Sequence, residues 1–232
     1  MKRSVLFLVC CAALSLFGTG CQRQAKWQTL FDGTDTAAWR GLNIQAFPEQ
    51  GWSVKDGLLV CDPIQGAPQR DLVTQEQYGN FELELEFKMT EGSNSGIKYF
   101  VVESLSSGGA GLGLEYQILD DARHPDAKLG KNGNRTLASL YDLIPAQADK
   151  PALAIGQWNT ARIVSKDSCV EHWLNGVKVV EFKRDDPAFR KIVAESKYKN
   201  FADFGLAEKG HILLQSHGDK VFFRNIRVRV LR

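Results

Sequence analysis

The chain has 232 residues, of which 44% are hydrophobic and 24% are charged, as is ordinary for a globular protein. This length predicts one domain of about 200 residues once an N-terminal segment is removed. The formal net charge is +2, and no basic stripe alternates with aromatic residues, so no nucleic acid partner is expected.

The N-terminus has the pattern of a bacterial lipoprotein signal peptide over residues 1–21. A short basic start precedes an apolar run over residues 5–17, which is shorter than a transmembrane span requires. The sequence Gly-Thr-Gly-Cys that follows resembles a lipobox and predicts lipidation of Cys21, with a plain signal peptide as the alternative. Gln22 follows in place of a retention aspartate, which favours the outer membrane of the cell envelope.

Behind this anchor, we expect residues 22–28 to form a tether and residues 29–232 to form a single domain. The membrane would then be contacted only through the lipid. The domain contains two cysteines, Cys61 and Cys169. They could form a disulfide or remain free thiols, because the sequence gives no distance between them. No CxxC motif occurs, so a cysteine metal site is not expected.

The domain is a series of short strands separated by Gly, Asn and Asp. Residues 81–89 alternate between apolar and charged side chains, which indicates a half-buried antiparallel strand. Two turns are predicted, at an Asn-Gly pair at residues 175–176 and at Lys-Asp-Gly at residues 55–57. A short helix is predicted over residues 186–196, where a proline suits the first turn.

The other predicted strands cover residues 52–54, 58–61, 72–74, 95–102, 114–119, 138–143, 158–165, 169–174, 177–182, 212–216 and 221–230. Many short strands at this spacing favour an all-β sandwich or jelly roll.

Two of these strands have unusual polar faces. Side chains of a strand alternate between its faces, so Glu115 and Gln117 point the same way. Gln215 and His217 share a face near the C-terminus for the same reason. If these two strands lie side by side, their side chains form a polar floor that suits sugar hydroxyls or a metal ion.

Further residues could join that site. Lys98 lies within a strand, where its ammonium could neutralise an enolate or merely point to water. Tyr141 and Asp142 could reach the same cleft. His172 shares a strand face with two apolar residues, which leaves it open between a core position and a ligand position.

A set of short motifs runs through the whole predicted domain. In chain order they are Leu-Phe-Asp-Gly at 30–33, Trp-Ser-Val-Lys-Asp-Gly at 52–57, Tyr-Gly-Asn-Phe-Glu-Leu at 78–83, Asn-Ser-Gly-Ile at 94–97, Gly-Leu-Glu-Tyr-Gln-Ile-Leu-Asp at 113–120, Leu-Tyr-Asp at 140–142, His-Trp-Leu-Asn-Gly at 172–176 and Gly-His-Ile-Leu-Leu-Gln-Ser-His-Gly at 210–218. Together and in this order they resemble the 3-keto-disaccharide hydrolase domain family. The resemblance implies a concanavalin A-like lectin/glucanase jelly roll of two antiparallel sheets, acting on an oligosaccharide or glycoside.

The resemblance also implies a reaction on a sugar that is oxidised at C3. The proton on C2 is then α to a ketone and acidic, so a base can remove it and the C1 substituent can leave by elimination. Addition of water afterwards gives net hydrolysis. Such a site needs a base that works near neutral pH, and a positive group or metal ion at the enolate oxygen.

The resemblance distributes these roles among the candidate residues. Glu115 and His217 are the expected base or the ligands of a divalent metal ion, Lys98 is an enolate partner, and His172 is a reserve base. The residues assigned to the substrate hydroxyls are Gln117, Gln215, Asn94, Tyr141 and Asp142.

Three other functions stay open at this point. A retaining glycosidase of the same fold needs two carboxylates about 5–5.5 Å apart, whereas here Gln117 follows Glu115 and Asp120 falls on the opposite face. A non-catalytic carbohydrate-binding module would use exposed aromatic side chains over its groove. An envelope scaffold with an inert groove is the third possibility.

Overall fold

In this computed structural model, the described part of the chain covers residues 25–66, 70–106, 110–201 and 203–232. It contains thirteen strands, one α-helix and two short 3-10 helices, at Glu103–Leu105 and Pro125–Lys128. The predicted signal peptide, Cys21 and the first part of the tether lie outside the described residues. Within the described ranges, no helix is long and apolar enough to cross a membrane. The elements are β1 (Gln28–Phe31), β2 (Trp39–Gly41), β3 (Trp52–Lys55), β4 (Leu58–Cys61), β5 (Leu72–Tyr78), β6 (Phe81–Met89), β7 (Asn94–Val101), β8 (Leu114–Leu119), β9 (Trp158–Lys166), β10 (Cys169–Leu174), β11 (Val177–Lys183), α1 (Pro187–Ala194), β12 (Gly210–Leu214) and β13 (Val221–Val230).

The strands form two antiparallel sheets, which confirms the predicted jelly-roll sandwich. The large sheet has the order β11-β10-β9-β6-β13-β4-β3, and β1 also pairs with β13. The small sheet has the order β2-β5-β12-β7-β8. Apolar side chains from both sheets make one core, in which Phe81 of the large sheet contacts Tyr99 of the small sheet with ring centres 6.2 Å apart.

The alternation of β6 shows how the sequence places a strand on this core. Its apolar residues, among them Leu83 and Leu85, are buried in the core. Its glutamates point outward, where Glu82 and Glu86 pair with arginines of β9 and β13. A strand with one apolar and one charged face must therefore turn its apolar face to the core and its charged face to solvent.

Both predicted turns are confirmed by the backbone. Asn175 and Gly176 have φ of 47° and 83°, and they close the hairpin between β10 and β11. Asp56 and Gly57, with φ of 52° and 74°, do the same between β3 and β4. Two consecutive residues with positive φ match the right-handed twist of the paired strands.

The predicted helix is confirmed as α1. Asp186 precedes it and accepts a hydrogen bond from the backbone N–H of Ala188 at 2.7 Å, while Pro187 occupies the first helical position. These residues satisfy or remove the free N–H groups of the first turn.

The strand predicted over residues 138–143 is wrong. The segment lies along the free edge of β8, but it forms only isolated bridges, from Leu140 to Tyr116 and to Ile144. Ala138 and Asp142 have φ of 63° and 61°, which an extended strand does not tolerate. The segment is therefore a pair of turns held against the sheet.

Both cysteines of the described part are free thiols, so the open choice between disulfide and thiols is resolved. Burial raises the pKa of Cys61 to about 12. A thiol in that state is unreactive, which is consistent with a packing role.

Candidate functional site

The two polar strand faces lie together. Contrary to our expectation, however, β8 and β12 are not neighbours in the sheet. β7 lies between β12 and β8 in the small sheet and contributes its own residues to the floor. Its pairing places Lys98 opposite Glu115 and Gly96 opposite Gln117. These side chains face away from the core and line a cleft of about 270 Å³ on the outer side of the small sheet.

Lys98 and Glu115 form the floor of this cleft. Lys98 Nζ lies 3.8 Å from Glu115 Oε2 and donates a hydrogen bond to the Gly111 carbonyl oxygen at 3.0 Å. Both side chains are buried, at 10% and 5% exposure. Burial raises the pKa of Glu115, although the nearby Lys98 acts in the opposite direction. A charged pair in a half-enclosed polar cleft is a common arrangement at catalytic sites.

Gly96 provides the space that the Glu115 carboxylate occupies. A Cβ at this position would lie 2.5 Å from Glu115 Oε1, so any larger residue would displace the carboxylate. Gln117 lies beside it and, with its amide nitrogen assigned from the surrounding acceptors, donates to the Ser95 carbonyl oxygen at 3.0 Å and to Glu115 Oε1 at 3.2 Å.

Gln215, His217 and Asn94 line the same cleft, as the sequence predicted for all three. Gln215 Oε1 is buried and has no hydrogen-bond partner among the described residues. Because a buried acceptor without a partner is costly, this atom is suited to receive a ligand hydroxyl. His217 is exposed at the edge of the cleft, and its ring centre lies 6.5 Å from that of His124.

Tyr141 also lines the cleft, because its segment is attached to the edge of β8. The backbone N–H of Tyr141 donates to the Glu115 carbonyl oxygen at 3.0 Å. The Tyr141 hydroxyl donates to Asp126 Oδ2 at 2.8 Å, so the ring is fixed at both ends.

Two carboxylates near the cleft, Asp142 and Asp120, have structural partners elsewhere. Asp142 does not line the cleft; it bonds Arg135 Nε at 2.7 Å and faces a neighbouring cavity. Asp120 shapes the turn after β8 by accepting from the N–H groups of Gly92 and Ala122, so it forms no carboxylate pair with Glu115 of the glucanase kind.

His172 lies in the core between the sheets, which resolves the choice left open by its strand face and contradicts its expected role as a reserve base. Its side chain is fully buried, within hydrogen-bond distance of the Tyr99 hydroxyl (2.8 Å) and the Ala138 carbonyl oxygen (3.0 Å). Burial lowers the pKa of His172 to about 4. A neutral, enclosed imidazole has no access to a substrate, and both its polar atoms are already used.

The structure also brings in residues that had no assigned role. Asp71 is buried and accepts from the N–H groups of Ser216 at 2.9 Å and Gly111 at 3.0 Å. It thus ties the segment that carries His217 to the loop that bonds Lys98. Its position before the strand at 72 carried no signal of this kind in the sequence.

Lys197 and Tyr198 reach the cleft from the segment after α1. Lys197 Nζ lies 4.0 Å from the ring centre of Tyr141 and 5.1 Å from that of Tyr198. A cation over two aromatic faces is a favourable contact, but no local pattern predicts it, since the residues are distant in sequence.

The cleft provides few of the charged side chains that commonly bind a divalent metal ion. Among the described residues, no group of three or more His, Cys, Asp or Glu side chains could hold one. The two predicted ligands are Glu115 and His217, and the Glu115 carboxylate already lies beside the ammonium of Lys98. The ammonium of Lys98 supplies positive charge at this floor.

Comparison with known proteins gives consistent matches over the whole domain. The 3-keto-alpha-glucoside-1,2-lyase-like domain family matches residues 26–229. A 3-keto-disaccharide hydrolase of Bacteroides thetaiotaomicron is 36% identical over 228 residues, covering 88% of this chain and 78% of the relative.

Solved structures show the same architecture. A protein from Parabacteroides distasonis assigned as a glycosyl hydrolase has a TM-score of 0.77 at 30% identity, covering 89% of this chain and 94% of its own. A Bacillus subtilis protein of unknown function with a galectin-like fold has a TM-score of 0.52 at 16% identity, covering 89% of this chain and 96% of its own. The latter supports the fold alone.

Proposed function

Because this chain belongs to the 3-keto-alpha-glucoside-1,2-lyase-like domain family, we propose that it is a hydrolase of 3-keto-glycosides that works by elimination. The observation that carries the proposal is the buried Lys98–Glu115 pair on the floor of a polar cleft. The relative named as a 3-keto-disaccharide hydrolase supports the substrate class.

The reaction divides into elimination and addition of water. In the first step the C2–H bond breaks, the base takes the proton, and the electron pair moves into an enolate with its charge on the C3 oxygen. This pair then forms the C1–C2 double bond while the C1–O bond breaks, and the leaving oxygen receives the proton. Water next adds its OH to C1 and its hydrogen to C2, so the sum is hydrolysis.

Each step has a residue that can serve it. Lys98 places an ammonium where an enolate oxygen can bind, and such preorganised charge is a large contribution to catalysis. His217, exposed at the cleft edge, is proposed as the base that takes the C2 proton and returns it to the leaving oxygen. Glu115 holds Lys98 in position, and Gln117, Gln215 and Asn94 are proposed to bind the hydroxyls.

Deuterium incorporation tests this mechanism directly. We expect the protein to cleave a 3-keto-glucoside in D₂O and to leave deuterium on C2 of the released 3-keto sugar, as seen by mass spectrometry and NMR. The unoxidised glucoside is not expected to react, because its C2 proton is not acidic. The released sugar alone in D₂O is the control for uncatalysed exchange.

A paired-carboxylate hydrolase would give the opposite results, namely cleavage of the unoxidised glucoside and no label on C2. Dialysis against a chelator adds a second arm. Because Lys98 supplies the charge, we expect the rate to be retained. If dialysis abolished the activity and added divalent metal restored it, a metal ion would take part in the mechanism.

We further propose that residues 1–21 are a lipoprotein signal peptide and that Cys21 carries the lipid. The support is the basic start, the short apolar run and the lipobox-like Gly-Thr-Gly-Cys. The protein would then reside in the cell envelope, on the outer membrane.

A further inference from the structure

A second cavity, here called the side cavity, adjoins the cleft. Its volume is about 450 Å³, and Lys197 lines both spaces. Its other walls come from the turns at residues 130–135 and 142–145 and from α1 with the residues that follow it. No residue to which the proposed chemistry assigns a role lines the side cavity.

Two consecutive residues separate the two spaces. Tyr141 lines the cleft, whereas Asp142 lines the side cavity. Asp142 has a φ of 61°, a left-handed conformation that is uncommon for a residue other than glycine. This backbone turns the two side chains into different spaces.

Arg135 holds Tyr141 and Asp142, the two residues between the cleft and the side cavity, in position. It bonds Asp142 at 2.7 Å and Asp126 at 2.8 Å, and Asp126 in turn accepts from the Tyr141 hydroxyl at 2.8 Å. The guanidinium carbon also lies 5.4 Å from the Tyr141 ring centre. Such a network resists collapse, so the side cavity is a fixed feature of the surface.

The lining of the side cavity combines polar and apolar groups. Asn132, Arg135 and Lys197 provide donors, while Leu143 and Ile192 provide apolar surface. A pyranose ring has the matching character, with hydroxyls at its edge and C–H groups on its faces. Since the cleft is smaller, at about 270 Å³, it suits one sugar ring, and the next ring must lie beyond it.

We propose that the side cavity binds the leaving group, and specifically a second hexopyranose unit of a disaccharide substrate. This inference rests on the proposed function, in which the reacting sugar occupies the cleft and its C1 substituent is the leaving group. It predicts a disaccharide preference that comes from binding and not from the elimination chemistry.

The test compares two 3-keto substrates that differ only in the leaving group, a glucosyl unit or a methyl group. Ile192 is 37% exposed on α1, so Ile192→Trp can fill the side cavity without disturbing the core. We expect about a tenfold loss of kcat/KM for the disaccharide and no change for the methyl glucoside. Lys191→Trp is the matched control, because Lys191 is exposed on the same helix and does not line the side cavity.

The outcomes separate the two proposals. An equal loss on both substrates, or no loss on either, overturns the leaving-group site while the elimination stands. If wild type cleaves neither substrate, the proposed function fails, and the binding of free glucose then tests whether the side cavity is a sugar site. Free glucose is expected to shift the backbone NMR signals of residues 130–135 in wild type but not in Ile192→Trp; unshifted wild-type signals overturn the site.

Discussion

A lysine buried against a glutamate at the base of a cleft has two separable roles, one in charge stabilisation and one in folding. Lys98 and Glu115 are both almost inaccessible, so removing one partner leaves the other as a buried, unpaired group. The catalytic role of the pair can therefore be measured only beside its structural role.

We predict that Lys98→Met lowers kcat by about 100-fold or more with a small change in KM, because the ammonium acts on the enolate and not on the bound ketone. Glu115→Gln should lose less, since the ammonium remains. The double variant should be no slower than Lys98→Met, because Glu115 acts through Lys98. Steady-state kinetics on a 3-keto-glucoside checks all three variants.

The matched control is Lys150→Met. The Lys150 side chain is only 11% exposed and pairs with Asp121 at 2.8 Å, but it lies outside the cleft. It should lose stability without losing kcat. If Lys150→Met reduced kcat as much as Lys98→Met, the effect at Lys98 would be a folding effect.

Residue-scale prediction from the sequence succeeded where alternation alone decides the outcome. Period two places Glu115 and Gln117 on one face, and the structure agrees. The same reasoning could not tell which face of a strand meets the other sheet. His172 and His217 both lie on or beside strands, yet one is enclosed in the core and the other is exposed.

At the scale of elements, local rules predicted turns and helix ends better than strand order. The Asn-Gly hairpin follows from its own two residues, whereas the insertion of β7 between β12 and β8 depends on pairing across more than 100 residues. This is why Lys98 was an open case in the sequence and a floor residue in the structure. The segment at 138–143 failed for a related reason, since its tertiary contacts stabilise positive φ at Ala138 and Asp142.

One element contact makes a testable link between pH and stability. Glu103, in the turn after β7, accepts from both terminal nitrogens of Arg40 on β2 at 2.7 Å and from the Asn43 N–H at 2.7 Å. These bonds, with the Arg40 hydrogen bond first, lower the pKa of Glu103 to about 2. Leu105 of the same turn lines the cleft, so the contact also positions a cleft wall.

A carboxyl whose pKa is lowered on folding stabilises the fold above its ordinary pKa of 4.5 and loses that contribution as the pH falls towards 2. We expect Glu103→Gln to lower the free energy of unfolding at pH 7 by about 1–2 kcal/mol, after allowance for its partial exposure. The difference from wild type should shrink steadily below pH 4.5. Urea titrations between pH 7 and pH 3 measure it.

Glu49→Gln is the control, because Glu49 is an exposed carboxylate on a loop. Its effect should stay within about 0.5 kcal/mol at every pH. A constant difference between wild type and Glu103→Gln from pH 7 to pH 3 would show that the bonds stabilise the fold independently of the carboxylate charge.

At the scale of the whole molecule, the first strand of the domain and the cleft belong to different sheets. The chain enters through β1, which pairs with β13 of the large sheet, whereas the cleft opens on the outer side of the small sheet. Gln28 lies seven residue steps after Cys21, and an extended chain spans at most about 3.6 Å per residue. A lipid on Cys21 would thus hold β1 within about 25 Å of a membrane while the cleft faces another way.

This arrangement predicts that anchoring and catalysis are independent. We expect Cys21→Ala to move the protein from the membrane fraction to the soluble envelope fraction and to abolish metabolic labelling with palmitate, with kcat/KM unchanged within about twofold. Cys11→Ala is the control, because Cys11 lies inside the proposed signal peptide and would be removed with it. A Cys21→Ala protein that stays in the membrane fraction would exclude the lipid as the anchor. A wild-type protein that is already soluble would favour a plain signal peptide, since the apolar run is too short to hold the protein in a bilayer.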